Sequence, residues 1–412
     1  MRVTGTPEAS TGYLPGSAEY RRVLVALFVA GLATFAVLYS PQGLLPELSA
    51  QFDVSATSAT LTLSLTTLAL GAALLVAGPL SDVVGRTRLI HLSLWASAIV
   101  AVACAVAPGW NALLVLRLLQ GIVLAGLPAV ATAYLREELH PSTHARAAGL
   151  YIGGTALGGM AGRLVAGFGA DFGGWRWGFG AVAVLALACA VIVRVLLPAS
   201  KHFDPAPSGV RQLLHMGREA VSDRALVALY LIGGCAMGGF IAVFNIIGFR
   251  LTSDPFDLRL AAASLVYLVY PVGAVSSVVA GRLADRYGRR AVMPFGCLVA
   301  IAGVVFTLAP SLVVLILGMA LLTAGFFAVH GLASGWVPVR AHAEGVSSGQ
   351  AASLYLFTFY LASSVFGSLA GSAWHTAGWP GVVLLAVVLF AVTAALALWL
   401  RRIPTLVTSS AR

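Results

Sequence analysis

Twelve apolar runs of membrane length, divided by short polar joints, constrain this chain more than anything else in it. They fall at about 23–45, 58–80, 88–107, 110–134, 146–169 and 177–198. After a polar stretch at about 199–223 they resume at about 224–247, 259–280, 291–309, 311–337, 348–371 and 378–400. A helix needs roughly 20 apolar residues to cross a hydrocarbon core, so each run suffices for one crossing. The runs are continuous rather than alternating and about twice the length of a barrel strand, which excludes a transmembrane β-barrel. Only 10% of the 412 residues are charged, against about 25% in a soluble domain. Too little polar surface remains to cover a water-facing body, so the lipid bilayer is the expected solvent.

The formal net charge is +10, carried by 24 Arg and the single Lys201 against 15 acidic residues. In a soluble protein this excess would point to nucleic acid. Here the cations sit in the joints and obey the positive-inside rule, so no nucleic-acid partner is expected. With the amino terminus inside, the cytoplasmic joints hold Arg86, Arg88, Arg136, Arg146, Arg194, Arg282, Arg286, Arg289, Arg290 and Arg340, among others. The outer joints hold only Arg176, Arg250 and Arg259. Both termini should therefore lie in the cytoplasm of a multi-pass inner-membrane protein. Cys104, Cys189, Cys235 and Cys297 are far apart inside apolar runs, and no metal site or disulfide is expected.

The runs also repeat. Gly78-Pro-Leu-Ser-Asp-Val-Val-Gly-Arg86 returns 203 residues later as Gly281-Arg-Leu-Ala-Asp-Arg-Tyr-Gly-Arg289, both of the form G-x-L-x-D-x-x-G-R. At an offset of 204, Leu150-Tyr151 matches Leu354-Tyr355, Gly167 matches Gly371, and Gly174-Trp175 matches Gly378-Trp379. Two parallel six-helix repeats are a transporter architecture, with a cavity at the repeat interface. The expected fold is an all-α membrane protein of 12 transmembrane helices in two pseudo-symmetric six-helix bundles. The expected division is a disordered cytoplasmic tail (1–20), a first bundle (21–198), a linker (199–223), a second bundle (224–402) and a tail (403–412). Within the linker, 208–220 reads equally as a short interfacial helix or as plain linker.

With these motifs in view the chain resembles the major facilitator superfamily over about 23–402. G-x-L-x-D-x-x-G-R between helices 2 and 3 is that family's main signature, and the echo between helices 8 and 9 is also expected. Arg117-Leu-Leu-Gln120-Gly121 resembles the R-x-x-Q-G motif of helix 4. Tyr39-Ser-Pro-Gln42-Gly-Leu-Leu-Pro46, Gly158-Gly-Met-Ala-Gly-Arg163, Trp175-Arg-Trp177 and Gly325-Phe-Phe-Ala-Val-His330 are similar to a branch of bacterial inner-membrane permeases of the arabinose-efflux or multidrug type. The resemblance implies a monomeric transporter of a small-molecule substrate, driven by a proton gradient with no cofactor, and in many relatives an exporter. The glycines of helix 5 resemble an antiport signature but lack its usual Gly-Pro step.

The residues that could carry chemistry are few. In the first knot, Gly78 and Gly85 permit close helix approach, and Asp82 can accept hydrogen bonds from Arg86 or from a facing helix terminus. Such a knot can latch the cytoplasmic face shut; the plainer reading is that its charges only set topology. Gly281, Asp285, Gly288 and Arg289 should do the same, less tightly, in the second half. Ionisable groups inside a span should face a cavity or a partner. They are Arg117, Arg163 and His330, with Glu47 near the outer end of helix 1. No mid-span Asp or Glu is evident, so an anionic or neutral polar cargo suits the site better than a lipophilic cation. Arg117 either joins proton coupling, as the resemblance implies, or bonds to neighbouring carbonyls. Arg163 either clamps an anion or pairs with Glu47 or Asp171. His330 either carries a proton or is simply solvated. Gln42, Gln120 and Asn245 are candidate cavity amides. Tyr39, Tyr151, Tyr270 and Tyr355 are weaker candidates, and Tyr39 and Tyr360 also read as interfacial anchors.

Other classes leave no trace. An enzyme should show paired acids or a nucleophile with its base, a sensor an added soluble domain, and an ATP-driven pump a phosphate loop. An MFS-like fold serving as a non-transporting sensor or enzyme is thus the outlying alternative. Within transport, proton-coupled uptake of an organic anion is the runner-up to export.

Overall fold

The protein is described by a computed structural model covering residues 12–201 and 217–403. Among these residues ten helical segments are long and apolar enough to cross a membrane. They are Ala18–Gly43, Ala56–Val84, Arg86–Ala105, Trp110–Glu138, Trp175–Leu196, Arg224–Leu251, Leu260–Tyr287, Arg289–Phe306, Leu312–Ala343 and Ser348–Arg402. Ser348–Arg402 is two crossings, broken at Gly378. His144–Gly173 spans 30 residues and packs between its neighbours, its apolar character diluted by glycine. The expected all-α fold of twelve crossings follows, numbered here one to twelve in chain order.

The sequence repeat is also a backbone repeat. Gly85 has φ 97 and ψ 143; Gly288 has φ 84 and ψ 142. That region strains any residue with a Cβ, so the second glycine of each knot lets one crossing reverse into the next at a single residue. Gly174 (φ 80, ψ −173) and Gly378 (φ 62, ψ −154) form a second matched pair of reversals.

Burial sorts the helices. Of the most apolar stretch of crossing seven 83% is buried, against 39% for crossing six. The exposed faces carry Leu92, Ile99, Val184, Val195, Phe295 and Leu384, an apolar surface of the kind a bilayer covers. Each half packs mainly on itself, and the halves meet along crossings two and eleven and along five and eight.

The amino-terminal expectation needs correction. Residues 12–20 are not a disordered tail. Tyr13 N donates to Glu138 O at 2.8 Å, His140 N donates to Tyr13 O at 3.2 Å, and Ser17 Oγ caps crossing one by accepting from Tyr20 N. These bonds satisfy backbone groups that would otherwise be orphaned at the end of crossing four. Residues 1–11, 202–216 and 404–412 lie outside the described residues, and with them most of the expected tails, linker and interfacial helix. Of that helix only 217–220 is described, and it is helical. Asp223 caps crossing seven through Leu226 N at 2.7 Å and pairs with Arg340 at 2.8 Å, tying seven to the end of ten.

Candidate binding site at the bundle junction

The junction is built by Pro41. Proline has no N–H to give to the carbonyl four residues back, here Val37, and crossing one gives way to a short 3-10 turn at Ser40–Gly43. Orphan carbonyls at a helix end need outside donors. Ser40 Oγ donates to Val37 O at 3.0 Å, and Arg117 adds the rest: Nη1 donates to Val37 O at 3.3 Å and Nη2 to Leu38 O at 2.9 Å, while Nε reaches Thr62 O inside crossing two at 2.9 Å. Arg117 is thus a buried clamp on crossings one, two and four.

The same break releases Gln42 into the middle of the molecule. Arg163, from crossing five, is fully buried beside it. Its Nε donates to Gln42 Oε1, and its Nη1 to Gly159 O at 2.6 Å. Its guanidinium carbon lies 4.3 Å from the ring centre of Tyr39, 4.6 Å from Tyr270 and 5.2 Å from Tyr267. Cation–π contacts of this kind contribute about 0.5–2 kcal/mol each. The pairing with Glu47 or Asp171 weighed from the sequence does not form. Glu47 sits in a separate short helix, Leu45–Phe52, and with Asp171 and Arg259 it lines a cavity of about 750 Å³ at the opposite end from the knots.

From Arg163 a chain of amides crosses to the other half. Gln42 Nε2 donates to Asn245 Oδ1 at 2.5 Å, and Tyr267 Oη donates to Gln42 O at 3.0 Å. Gln42 and Asn245 are 203 residues apart, the offset of the repeat itself, so two equivalent amides meet on the pseudo-twofold axis. The direction of the chain is forced. A guanidinium only donates, so Gln42 must turn its oxygen to Arg163 and its nitrogen to Asn245. Asn245 then accepts and is left with a surplus donor. Arg163 Nη2 and Asn245 Nδ2 are both buried and make no hydrogen bond among the described residues.

Next to this polar pole stands an aromatic wall, of which Tyr270, Tyr355 and His330 were expected and the phenylalanines were missed. Tyr270 packs edge-on to Phe244 and Phe327, and Phe240 stacks on Phe326 at 4.0 Å. Phe326 lies parallel to His330, whose Nδ1 is 2.9 Å from Tyr355 Oη. In the sequence these phenylalanines are indistinguishable from core residues. Tyr39 and Tyr360 are buried, so neither is an interfacial anchor.

The halves are shut at the end away from the knots. Thr57 and Ser372 hydroxyls are 3.4 Å apart, Ala261 N donates to Asp171 Oδ1 at 3.4 Å, and Ser368 Oγ donates to Ser64 Oγ at 2.9 Å. The repeat-matched Gly167 and Gly371 lie at this seam, where a Cβ would run into Ser264 and Thr57 respectively. At the knot end a cleft of about 370 Å³ separates them, lined by Asp82, Arg86 and Arg136 on one side and Gly349, Gln350 and Ser353 on the other. Asp82 pairs with Arg86 at 2.6 Å, and Arg86 also pairs with Glu137 at 2.9 Å and donates to Ser81 Oγ. Glu137 was not among the expected partners, although Arg136-Glu137-Glu138 closes the fourth run. The second knot is looser: Asp285 and Arg289 make no ion pair among the described residues, and Arg289 reaches only Gly335 O at 3.5 Å.

Gln42, Arg163, Asn245, Tyr39 and Tyr270 therefore come together, with His330 and Tyr355 on the adjoining wall. Gln120 does not join them; it faces crossing three and donates to Ser97 O at 3.0 Å. Tyr151 is buried along crossing five without a side-chain hydrogen bond to any described residue.

Comparison with known proteins places this geometry. Residues 23–329 and 249–411 match the sequence profile of the Major Facilitator Superfamily. The chain is 41% identical over 375 residues to the uncharacterized MFS-type transporter YybF of Bacillus subtilis, covering 89% of this chain and 90% of that one. It is 40% identical over 367 residues to the inner membrane transport protein YnfM of Escherichia coli K12, covering 89% and 87%. Among solved structures, a bacterial homologue of the human lysosomal transporter Spinster, inward-facing and occupied, superposes with a TM-score of 0.77 over 94% of this chain and 98% of its own. At 18% identity that likeness is one of fold.

Proposed function

The chain belongs to the major facilitator superfamily, and from that footing we propose that it exports a small polar or anionic solute across the bacterial inner membrane by proton-coupled alternating access. In this reading both termini lie in the cytoplasm and the knots mark the cytoplasmic face. The protein is a multi-pass membrane protein of transporter type; direction, coupling and cargo are the proposal.

One observation carries it. A buried cation, Arg163, sits where the two halves meet, and no carboxylate among the described residues pairs with it. An unpaired buried charge is costly, and a cargo that brings a negative or strongly accepting group would relieve it. In this reading the closed seam is the outer one and the cleft at the knots opens to the cytoplasm, which makes the state inward-facing. Asp82 holds only its own half in that state, as a released latch would. His330 is the group near this site whose ordinary pKa lies close to neutrality, and we assign it the proton.

The test uses inside-out vesicles with an imposed pH gradient and a panel of small organic anions. A transported solute should dissipate the gradient on addition. Asp82→Asn, with unchanged membrane yield, should do so about tenfold more slowly if the knot gates the slow step. If no solute perturbs the gradient, the coupling claim fails. Wild-type rates in Asp82→Asn would remove the latch.

A further inference from the structure

We propose that Gln42 is a placeholder for the cargo, and that the cargo is an aromatic carboxylate. The inference rests on the transport reading above and names its substrate class. A carboxamide and a carboxylate share one planar shape but differ in polarity. The amide offers one acceptor and one donor; the carboxylate accepts at both oxygens.

At the junction the amide of Gln42 lies between Arg163 and Asn245 and satisfies only part of each. It gives Arg163 a neutral acceptor where a charged one would be stronger. By donating to Asn245 it forces the Asn245 amide to face its own nitrogen away, unpartnered. A carboxylate in the same place corrects both faults. One oxygen meets the guanidinium as an ion pair, including the vacant Nη2. The other accepts from Asn245 Nδ2 once that amide turns over. Arg163 Nη2 gains its acceptor directly and Asn245 Nδ2 gains one after the amide turns over, while the displaced Gln42 amide gives up both of its bonds.

The repeat shows why the site is one-sided. At the offset of 204 the counterpart of Arg163 is Gly367. A Cβ there would lie 2.7 Å from Asn245 Nδ2. The first half supplies the charge; the second supplies a bare backbone and an idle donor. Tyr270 links this pole to the wall, with one face toward Arg163 and its edges on Phe244 and Phe327. The ring of an aromatic acid bound at Arg163 would replace contacts those rings now make with one another.

Thermal unfolding of the full-length protein in detergent tests this with four probes and two variants. Benzoate should raise the unfolding temperature in a saturable way. Benzamide and benzylamine should not, and acetate should bind at least about tenfold more weakly, a difference of about 1.4 kcal/mol. Gln42→Glu builds the carboxylate into the chain, so it should unfold at a higher temperature than wild type and ignore benzoate. Gln42→Ala vacates the place and should bind benzoate more tightly. The proposal is overturned if benzamide matches benzoate, if acetate does, or if Gln42→Glu responds to benzoate as wild type does. These arms need no gradient and no transport. Failure here leaves alternating access standing, and failure of alternating access is read separately from labels across the Thr57–Ser372 seam.

Discussion

Arg117 and Arg163 are both buried guanidinium groups, yet they differ in what surrounds them. Arg117 spends its donors on three carbonyls of its own half. Arg163 keeps one idle, at the junction of the halves. Substitution should separate them. Arg117→Lys puts one ammonium where a fork reached three acceptors. Val37 O and Thr62 O keep Ser40 Oγ and Thr66 Oγ1 as donors, so the loss falls mainly on Leu38 O, and thermal unfolding in detergent should show a loss of about 1–2 kcal/mol; an unchanged unfolding temperature would contradict the clamp. The sequence singles out both arginines because a cation inside an apolar run must find partners. It cannot say which. Arg117's partners exist because Pro41 strips a donor from Val37, a consequence of chain geometry rather than of composition. Glu47 looked available to Arg163 on spacing alone, but the break at Pro41 sends it into a separate short helix.

Among the helices, crossing five shows how much a glycine count conceals. Gly154, Gly158 and Gly162 recur every four residues and so share one face. A Cβ on each would meet the carbonyl of Phe28, Leu32 or Ala36 on crossing one, themselves four apart. Gly149 and Gly153 meet nothing within 4 Å. Gly158→Ala should therefore push the two helices apart and cost about 1–3 kcal/mol. Gly153→Ala should be neutral or stabilising by up to about 1 kcal/mol through helix propensity. Equal effects in a thermal-unfolding comparison would contradict this division. The twelve runs were legible because hydropathy and length set a crossing. The face each glycine presents was not, because it depends on which helix packs there.

For the molecule as a whole, the repeat is the organising fact, and it operates at three depths. It sets matched glycine reversals at Gly85 and Gly288, joins Gln42 to Asn245 on the axis, and places Gly167 and Gly371 at the two halves of one seam. The knots, their spacing and the two-bundle fold were readable from the sequence. The aromatic wall was not, since a phenylalanine that will face a cargo reads like one that faces its neighbour. Alternating access requires that the Thr57–Ser372 seam open while the cleft beside Asp82 closes. Spin labels at Thr57→Cys and Ser372→Cys, in a background lacking the four native cysteines and reconstituted in lipid, measure that seam. The expected distance distribution has a short population matching this structure and a longer one. Gly167→Leu, which wedges the matching seam against Ser264, should enlarge the longer population. A single short distance, unmoved by Gly167→Leu, would contradict alternating access.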